Sequence, residues 1–351
     1  MSTHDGRGPG LLERLERGPV ICAEGYLFEL ERRGYLQAGG YVPEVVLEHP
    51  EKVAELHREF VHAGSDVVEA FTYYAHREKL RLIGKEALLE EINRRALAIA
   101  KEVADERGAL LAGNVCNTNV YTGEESDDAV SQMFAEQVGW AAEAGVDFVI
   151  AETISWLGEA RIATGVIKAA GLPAVVTLAA HKDPAMREGI SPADACRSLE
   201  AAGADVVGLN CSRGPRTMLP LLAEIRAAVS VPVAALPVPY RTTDEHPSFQ
   251  SLEDDDPHRG DLPLGRPFPT ALDPFTCNRY EIADFARRAH ELGVGYLGVC
   301  CGAAPHHIRA MAEALGRTPA AGRFSADMSK HYALGTDASL KSENQGYVER
   351  L

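Results

Sequence analysis

Short apolar segments alternate with amphipathic helical patterns along most of this chain. A short apolar run bounded by glycine or polar residues is typical of a strand that is buried on both faces of a parallel sheet. The runs predict eight strands, at residues 20–23, 66–72, 110–115, 147–152, 174–178, 205–210, 232–236 and 296–299. The patterns between them predict helices at residues 26–34, 43–63, 86–107, 127–144, 157–170, 191–203, 215–229, 280–292 and 304–315.

The order of these elements favours a closed barrel. Strands that alternate with helices form parallel sheets, and eight such units are the number found in a (β/α)8 TIM-type barrel. A doubly wound sheet is the alternative, but no G-x-G-x-x-G motif follows the first strand. We therefore expect an α/β fold with a barrel over residues 11–316 and a long irregular insertion after the seventh strand, at 237–277. A polar C-terminal tail, 317–351, is expected either to contact a neighbouring subunit or to be disordered.

Composition narrows the class of partner. Of the 351 residues 46% are hydrophobic, enough for a large core, and the formal net charge is -16. That charge argues against nucleic acid or an anionic membrane as a partner. No apolar run reaches the length of a membrane span, and residues 1–10 lack the apolar core of a signal peptide, so a cytoplasmic location is expected. Seven cysteines, an odd number, favour reduced thiols over a disulfide framework.

Three of these cysteines follow predicted strands. Cys300 and Cys301 are adjacent after the eighth strand, and Cys211 follows the sixth. Because the strands of a TIM-type barrel place catalytic groups at their C-terminal ends, we expect the three thiols to share one mouth. Three cysteines form a zinc site with one open position, which is typical of catalytic zinc. The alternative is three buried cysteines without a ligand, and that interpretation is kept for Cys22, Cys116, Cys196 and Cys277.

A zinc ion with three thiolate ligands is suited to holding a substrate thiol as the thiolate. Tyr73 and Tyr74, with Tyr41, could form an aromatic cage for a quaternary ammonium or sulfonium group, which is a methyl donor. Together these features predict methyl transfer to sulfur. The alternative for the tyrosines is ordinary half-buried packing.

Glu24 and Glu152 end the first and fourth predicted strands. Carboxylates at this end of a barrel are suited to binding the amino group of an amino-acid substrate. The alternative is a helix-capping or surface salt-bridge role for either residue.

Two cysteine-containing motifs resemble those of the homocysteine S-methyltransferases. They are Gly208-Leu209-Asn210-Cys211 and Gly298-Val299-Cys300-Cys301-Gly302, in which Val299 replaces a family glycine. The betaine–homocysteine branch is the most similar, through the stretches 56–60, 70–75 and 307–313. The resemblance extends from about Leu11 to Leu315 and implies a homocysteine-binding barrel.

The resemblance also implies roles for single residues. Cys211, Cys300 and Cys301 match the zinc ligands, and Asn210 beside them supports the site. Glu152 matches the carboxylate that holds the homocysteine amino group.

On the donor side, Tyr74 matches the family tyrosine that faces betaine. Tyr73 replaces a phenylalanine and Tyr41 a tryptophan. The first strand departs from the family, because Ala23-Glu24 stands in place of Asp-Gly and Glu24 is the candidate replacement for the lost aspartate. Thr153 stands where the betaine branch has tyrosine.

The sequence thus predicts a zinc-dependent S-methyltransferase that moves a methyl group from betaine or a related onium donor to homocysteine and yields methionine. One alternative keeps the chemistry with S-methylmethionine, another sulfonium donor or a different thiol acceptor. A second is a non-catalytic protein that binds quaternary ammonium compounds. The expected partners are a small-molecule thiol and a methyl donor. A homo-oligomer is left open, because the tail is shorter than the C-terminal arm of the betaine enzymes.

Overall fold

The computed structural model describes residues 8–255, 260–324 and 327–344. Within them eight parallel strands pair in chain order and close into a barrel, since β1 pairs with β8 as well as with β2. The predicted (β/α)8 barrel is therefore confirmed. The strands are β1 Val20–Ala23, β2 Val67–Glu69, β3 Leu110–Cys116, β4 Phe148–Ile154, β5 Ala174–Leu178, β6 Val206–Asn210, β7 Val233–Leu236 and β8 Val294–Val299.

The helices pack outside the barrel and bury one face against it. Two of them, α1 and α5, were not anticipated from the sequence. The helices are α1 Leu11–Arg17, α2 Tyr26–Arg32, α3 Val45–Glu48, α4 Pro50–Ala63, α5 Arg77–Leu82, α6 Leu89–Arg107, α7 Asp127–Ala144, α8 Leu157–Ala169, α9 Pro192–Ala201, α10 Pro215–Ala228, α11 Arg279–Glu291 and α12 Pro305–Ala314.

The single helix expected over 43–63 is wrong, because the chain breaks at His49. A proline disfavours helical dihedrals in the residue before it. His49 accordingly has φ -138° and ψ 57°, so α3 ends at Glu48 and α4 starts with Pro50 in its first turn. The break turns α4 onto the barrel, where Phe60 is buried.

The second strand is shorter than expected and ends at Glu69. After Ala70 the chain turns, because the amide of Thr72 donates to the carbonyl of Ala70 at 2.8 Å. The Thr72 hydroxyl also donates to the carbonyl of Asn114 at 2.7 Å, which fixes this turn against β3. Glu69 therefore lies at the C-terminal end of β2, on the side of the barrel where active sites form.

The insertion after β7 lies across the barrel mouth. The only helical elements among its described residues, 237–255 and 260–277, are short 3₁₀ turns, but its aromatic rings pack on the barrel. Phe249 stacks on Tyr240 with ring centroids 5.9 Å apart, and it contacts Phe28 at 6.2 Å and Phe268 at 4.8 Å. The insertion thereby supplies one wall of the mouth.

Part of the expected C-terminal tail packs on the barrel. Arg317 forms an ion pair with Asp66 at 2.6 Å, beside the start of β2. Most side chains of 327–344 are exposed, although Ala333 is buried. Residues 325–326 and 345–351 of this tail lie outside the described residues. Among the helices described, none combines the length and the apolar character that crossing a bilayer requires.

His57 makes the fold sensitive to acid. It is buried on α4 with both ring nitrogens unpartnered, and its ring packs edge-on against Tyr26 at 4.8 Å. Burial, followed by the charge of Arg58, lowers the pKa of His57 to about 3. A folded-state pKa below the unfolded value makes the unfolded chain bind the proton more tightly, so stability is lost as pH falls below about 6.5.

We expect His57→Leu to remove the loss of stability that protonation of His57 causes at low pH. The variant should therefore lose less stability in acid. Its free energy of unfolding, minus that of the unsubstituted protein, should rise by about 1.4 kcal/mol for each unit by which pH falls between roughly 6 and 4. Urea unfolding at several pH values measures the difference, in which the other titrating groups cancel. A difference that stays constant with pH would show that His57 titrates normally.

Candidate active site

The ends of three adjacent strands bring the three cysteines together. Cys211 follows β6, and Cys300 and Cys301 follow β8. The intervening β7 aligns both segments, because the Cys211 amide donates to the Leu236 carbonyl and the Cys300 amide to the Pro237 carbonyl, each at 2.9 Å. The three sulfur atoms lie within 4.8 Å of one another, and those of Cys300 and Cys301 are 3.9 Å apart.

This cluster has the chemistry and spacing of a zinc site. Zinc–sulfur bonds of 2.3 Å in a tetrahedron place the sulfurs about 3.8 Å apart. Hydrogen bonds from Cys300 and Cys301 lower the pKa of Cys211 well below its usual range, so the cluster favours a thiolate at Cys211. Cys211 and Cys300 are buried, whereas Cys301 is partly exposed toward the mouth. The predicted ligand residues therefore fit zinc with one position free for a further ligand.

The backbone around the thiols adopts rarely populated conformations. Cys211 has φ 56° and Ser212 has φ 54°, in the left-handed region that non-glycine residues seldom occupy. Gly302 follows the cysteine pair with φ 94°, and a Cβ there would lie 2.2 Å from the Tyr240 hydroxyl oxygen. For the two non-glycine residues such conformations each cost about 1–3 kcal/mol, and they persist at functional sites where the surroundings fix them. Glycine at 302 avoids this cost.

Asn210 connects the thiols to the carboxylates. Its side-chain nitrogen lies 2.7 Å from a Glu152 oxygen, 3.3 Å from a Glu24 oxygen and 3.7 Å from the Cys300 sulfur. Its side-chain oxygen accepts a hydrogen bond from the Thr153 amide at 2.8 Å. Asn210 is fully buried, so its orientation is fixed by these bonds.

The two predicted glutamates belong to a cluster of three. Glu24, Glu69 and Glu152 are all buried inside the barrel mouth. Burial and repulsion from the neighbouring carboxylates raise the pKa of Glu24 and of Glu69 well above the usual range. Burial raises the pKa of Glu152 to about 7, although the hydrogen bond from Asn114 opposes the shift. Because neighbouring buried carboxylates repel one another when charged, simultaneous ionisation of Glu24, Glu69 and Glu152 is disfavoured.

Glu69 and Asn114 were not predicted as site residues. The Asn114 side chain donates to Glu152 at 2.6 Å and to Glu69. The signal for Glu69 was an acidic residue inside an otherwise apolar run, since a buried charge requires a partner or a ligand.

The predicted tyrosines line a cavity that also borders the thiols and has a volume of about 350 Å³. The rings of Tyr73 and Tyr74 are 4.3 Å apart, and Tyr41 lies 5.8 Å from the ring of Phe28. The ammonium of Lys79 lies 4.0 Å from the Tyr74 ring centre, so this ring already makes one cation–π contact within the protein. Tyr41 and Tyr74 both have positive φ, so the backbone is held to present these rings.

Sequence reasoning missed several residues that line the same cavity. His181 is held between the hydroxyls of Ser155 at 3.0 Å and Ser212 at 3.1 Å. Aromatic groups from distant parts of the chain complete the wall, and they are Tyr121, Trp156, Phe249 and Phe268. Aromatic rings therefore form part of the wall beside polar and charged side chains such as Glu159 and Arg187, and Cys211 and Cys301 line the same cavity.

Sequence comparison agrees with the motifs. Residues 25–315 match the model of the homocysteine S-methyltransferase family. Betaine--homocysteine S-methyltransferase 1 of Danio rerio is 40% identical over 314 residues, 87% of this chain and 75% of that protein. S-methylmethionine--homocysteine S-methyltransferase BHMT2 of Pongo abelii is 35% identical over 347 residues, 97% of this chain and 90% of that protein.

Structural comparison agrees with the barrel. The metallated form of the Escherichia coli homocysteine methyltransferase MmuM is similar with a TM-score of 0.65 and 17% identity, covering 85% of this chain and 97% of that one. At this identity the likeness shows the fold alone. The family match, by contrast, covers most of the sequence, including both cysteine motifs. The chain therefore belongs to the homocysteine S-methyltransferase family and is a thiol methyltransferase rather than a non-catalytic binding protein.

Proposed function

We propose that this protein is a zinc-dependent enzyme that transfers a methyl group from betaine, or a related onium compound, to homocysteine and yields methionine. The observation that carries the proposal is the position of the three-thiol cluster. It lies between a cavity lined by aromatic rings and a smaller one lined by carboxylates. A thiol whose amino group is held by the carboxylates and a methyl donor held by the aromatic rings would meet at the sulfur cluster.

Cys211, Cys300 and Cys301 would hold the zinc ion. When bound there, Zn²⁺ lowers the pKa of the acceptor thiol and keeps it as the nucleophilic thiolate. The surrounding protein orients the ligands, because Asn210 contacts Cys300, and the carbonyls of Leu236 and Pro237 accept hydrogen bonds from the Cys211 and Cys300 amides. Groups of this kind around a metal site typically contribute 10- to 100-fold to affinity or activity, as an order-of-magnitude value.

Glu152 would bind the ammonium group of homocysteine. Asn114 and Asn210 hold its two oxygens from either side, at 2.6 and 2.7 Å, so the carboxylate cannot rotate away. Glu24 lies on the other side of Asn210 and would serve where relatives of the betaine branch have aspartate. This anchoring orients the acceptor sulfur toward the thiol cluster.

Tyr41, Tyr73 and Tyr74 would bind the onium group of the donor through their ring faces. The leaving group of a quaternary ammonium donor departs as a neutral amine, so no acid or base is needed to assist it. The rate would come from alignment of the sulfur, the methyl group and the leaving group between the thiol cluster and the aromatic rings.

S-methylmethionine is the second candidate donor. A sulfonium group satisfies the same rings, and relatives named for each donor align over most of the chain. The departure at Ala23-Glu24 also keeps a different thiol acceptor open.

A methyl-transfer assay over a panel of donors tests the proposal. Zinc-loaded protein is incubated with homocysteine and either betaine, S-methylmethionine or another sulfonium, and methionine is quantified. We expect methionine with at least one onium donor, and loss of activity after chelation that zinc restores. Absence of methionine with every donor, in protein that holds one zinc per chain, would refute the proposal.

A further inference from the structure

The segment that follows β7 is bonded to both loops that carry the cysteines. The carbonyl of Pro237 accepts a hydrogen bond from the amide of Cys300 at 2.9 Å. The amide of the next residue, Val238, donates to the carbonyl of Arg213 at 3.0 Å, two residues after Cys211. This segment therefore lies between the loop that follows β6 and the loop that follows β8.

Tyr240 fills the space between these two loops, and it is fully buried. A Cβ at Gly214, three residues after Cys211, would lie 2.1 Å from the carbonyl oxygen of Tyr240. A Cβ at Gly302, directly after Cys301, would lie 2.2 Å from its hydroxyl oxygen. Both positions need glycine, because any larger residue would overlap Tyr240. Tyr240 therefore contacts one loop with its backbone and the other with its side chain.

The side chain of Tyr240 is fixed at both its hydroxyl and its ring. The guanidinium of Arg32, on α2, donates to the hydroxyl at 2.9 Å. Arg32 also lies 3.8 Å from an oxygen of Glu29 and 3.6 Å from an oxygen of Asp273. A guanidinium can serve these partners together, because it carries five N–H donors in a rigid plane. The phenol ring stacks on Phe249 with centroids 5.9 Å apart.

We propose that Tyr240 is a positioning residue that sets the separation of Cys211 from Cys301, and that Arg32 acts through its hydroxyl. The proposal rests on the proposed zinc site and adds what determines the spacing of its ligands. Neither residue supplies a ligand. A tetrahedral zinc site requires sulfurs about 3.8 Å apart, so a shift of one loop weakens metal binding even when all three thiols are present.

Tyr240→Phe removes the hydroxyl and keeps the ring. We expect its zinc affinity, measured by competition with a chromophoric chelator, to be about 10-fold lower than that of the unsubstituted protein. The absorption spectrum of the cobalt-substituted variant should also change, because its bands depend on the geometry around the ion.

Tyr296→Phe is the matched control for this substitution. Tyr296 is equally buried, lies on β8 and packs on Phe148 with centroids 6.4 Å apart. It lines neither the cavity with the aromatic rings nor the one with the carboxylates. This variant should match the unsubstituted protein in zinc affinity and in its cobalt spectrum.

Arg32→Ala tests whether the hydrogen bond to Tyr240 carries the effect. Its zinc affinity should also fall, because the hydroxyl loses its donor. A double variant with Tyr240→Phe should bind zinc within about 2-fold of Tyr240→Phe alone, since both substitutions remove the same contact. Arg33→Ala is the control, because Arg33 pairs with Glu29 and Glu59 instead, and it should leave the zinc affinity unchanged.

The separation of the thiols can also be measured without metal. A short bifunctional alkylating reagent joins two thiols only when they are close, and peptide mapping identifies the joined pair. The Cys211–Cys301 link should form readily in the reduced, unsubstituted protein, because these sulfurs lie within 4.8 Å. In Tyr240→Phe its yield should fall at least about 3-fold, whereas the link between the adjacent Cys300 and Cys301 should persist.

Two results would overturn the inference. One is a Tyr240→Phe variant that equals Tyr296→Phe in zinc affinity, cobalt spectrum and cross-link yield, because Tyr240 would then serve only the core. The other is fully additive losses in the double variant, because the hydrogen bond would then not be the positioning contact. Either result leaves the proposed function intact. Failure of the unsubstituted protein to bind zinc would instead refute the proposed function, and the cross-link yields would still test Tyr240.

Discussion

A Cys211→Ala variant is expected to lose both its metal and its activity. With one of three thiols gone, the protein should retain less than about half an equivalent of zinc after reconstitution. Methyl transfer to homocysteine should fall by more than about 100-fold, beyond the range typical of residues that only support a metal site. The physical reason is that Cys211 lies within 4.8 Å of both other sulfurs and favours the thiolate form that a metal requires.

Cys196→Ala is the matched control for this substitution. Cys196 is also buried, but it lies on α9 and belongs to none of the described clusters of possible metal ligands. Metal analysis by mass spectrometry and the methyl-transfer assay should show one zinc per chain and near-normal activity for this variant. Equal zinc content in the Cys211→Ala and unsubstituted proteins would contradict the proposed metal site.

The second large loss of stability and activity is expected for Asn210→Asp. This substitution keeps the shape of the side chain but replaces a hydrogen-bond donor to Glu152 by a carboxylate oxygen. The new carboxylate would replace the nitrogen that now donates to Glu152 at 2.7 Å and faces Glu24 at 3.3 Å. Leaving buried charged groups without their partner typically costs about 3–5 kcal/mol. We expect a loss of this order in the free energy of unfolding and a fall of at least about 100-fold in kcat/KM for the folded fraction.

Asn93→Asp separates the loss of stability from the effect on the site. Asn93 is equally buried, and its nitrogen donates to the carbonyls of Ala75 and Leu89, each at 2.8 Å. This control should also unfold more easily, whereas its folded fraction should keep normal kcat/KM and zinc content. Denaturant unfolding combined with steady-state kinetics makes the distinction. Loss of activity no greater than in Asn93→Asp would show that Asn210 serves the fold alone.

The barrel could be predicted from the sequence because its strands are short, apolar and evenly spaced. Hydrophobic periodicity failed where a single residue sets the end of an element. Periodicity alone predicts one helix from 43 to 63, but Pro50 breaks it at His49. The second strand was drawn too long for a related reason. Ala70 and Phe71 extend the apolar run beyond Glu69, but a turn fixed by Thr72 ends the strand at Glu69.

Part of the site could be predicted from the sequence because the barrel topology fixes where the strand ends lie. Cys211 could be joined to Cys300 and Cys301 because barrel strands end on one face. Glu69 was missed since the end of its strand was misplaced, and Asn114 because an amide at a strand end has many roles. Phe249 and Phe268 lie in the irregular insertion, and no local pattern indicates that such residues return to the mouth.

The position of β7 between the two cysteine segments has a mechanical consequence. The chain between Cys211 and Cys300 contains α10, β7, the insertion, α11 and β8. A zinc ion shared by these residues closes that segment into a loop, much as a disulfide would. Removal of the metal would then loosen more than the acceptor side. It would increase amide exchange along the insertion, whose Phe249 and Phe268 line the cavity proposed for the methyl donor. Donor binding would then depend on the same zinc ion that is proposed to bind the acceptor thiol.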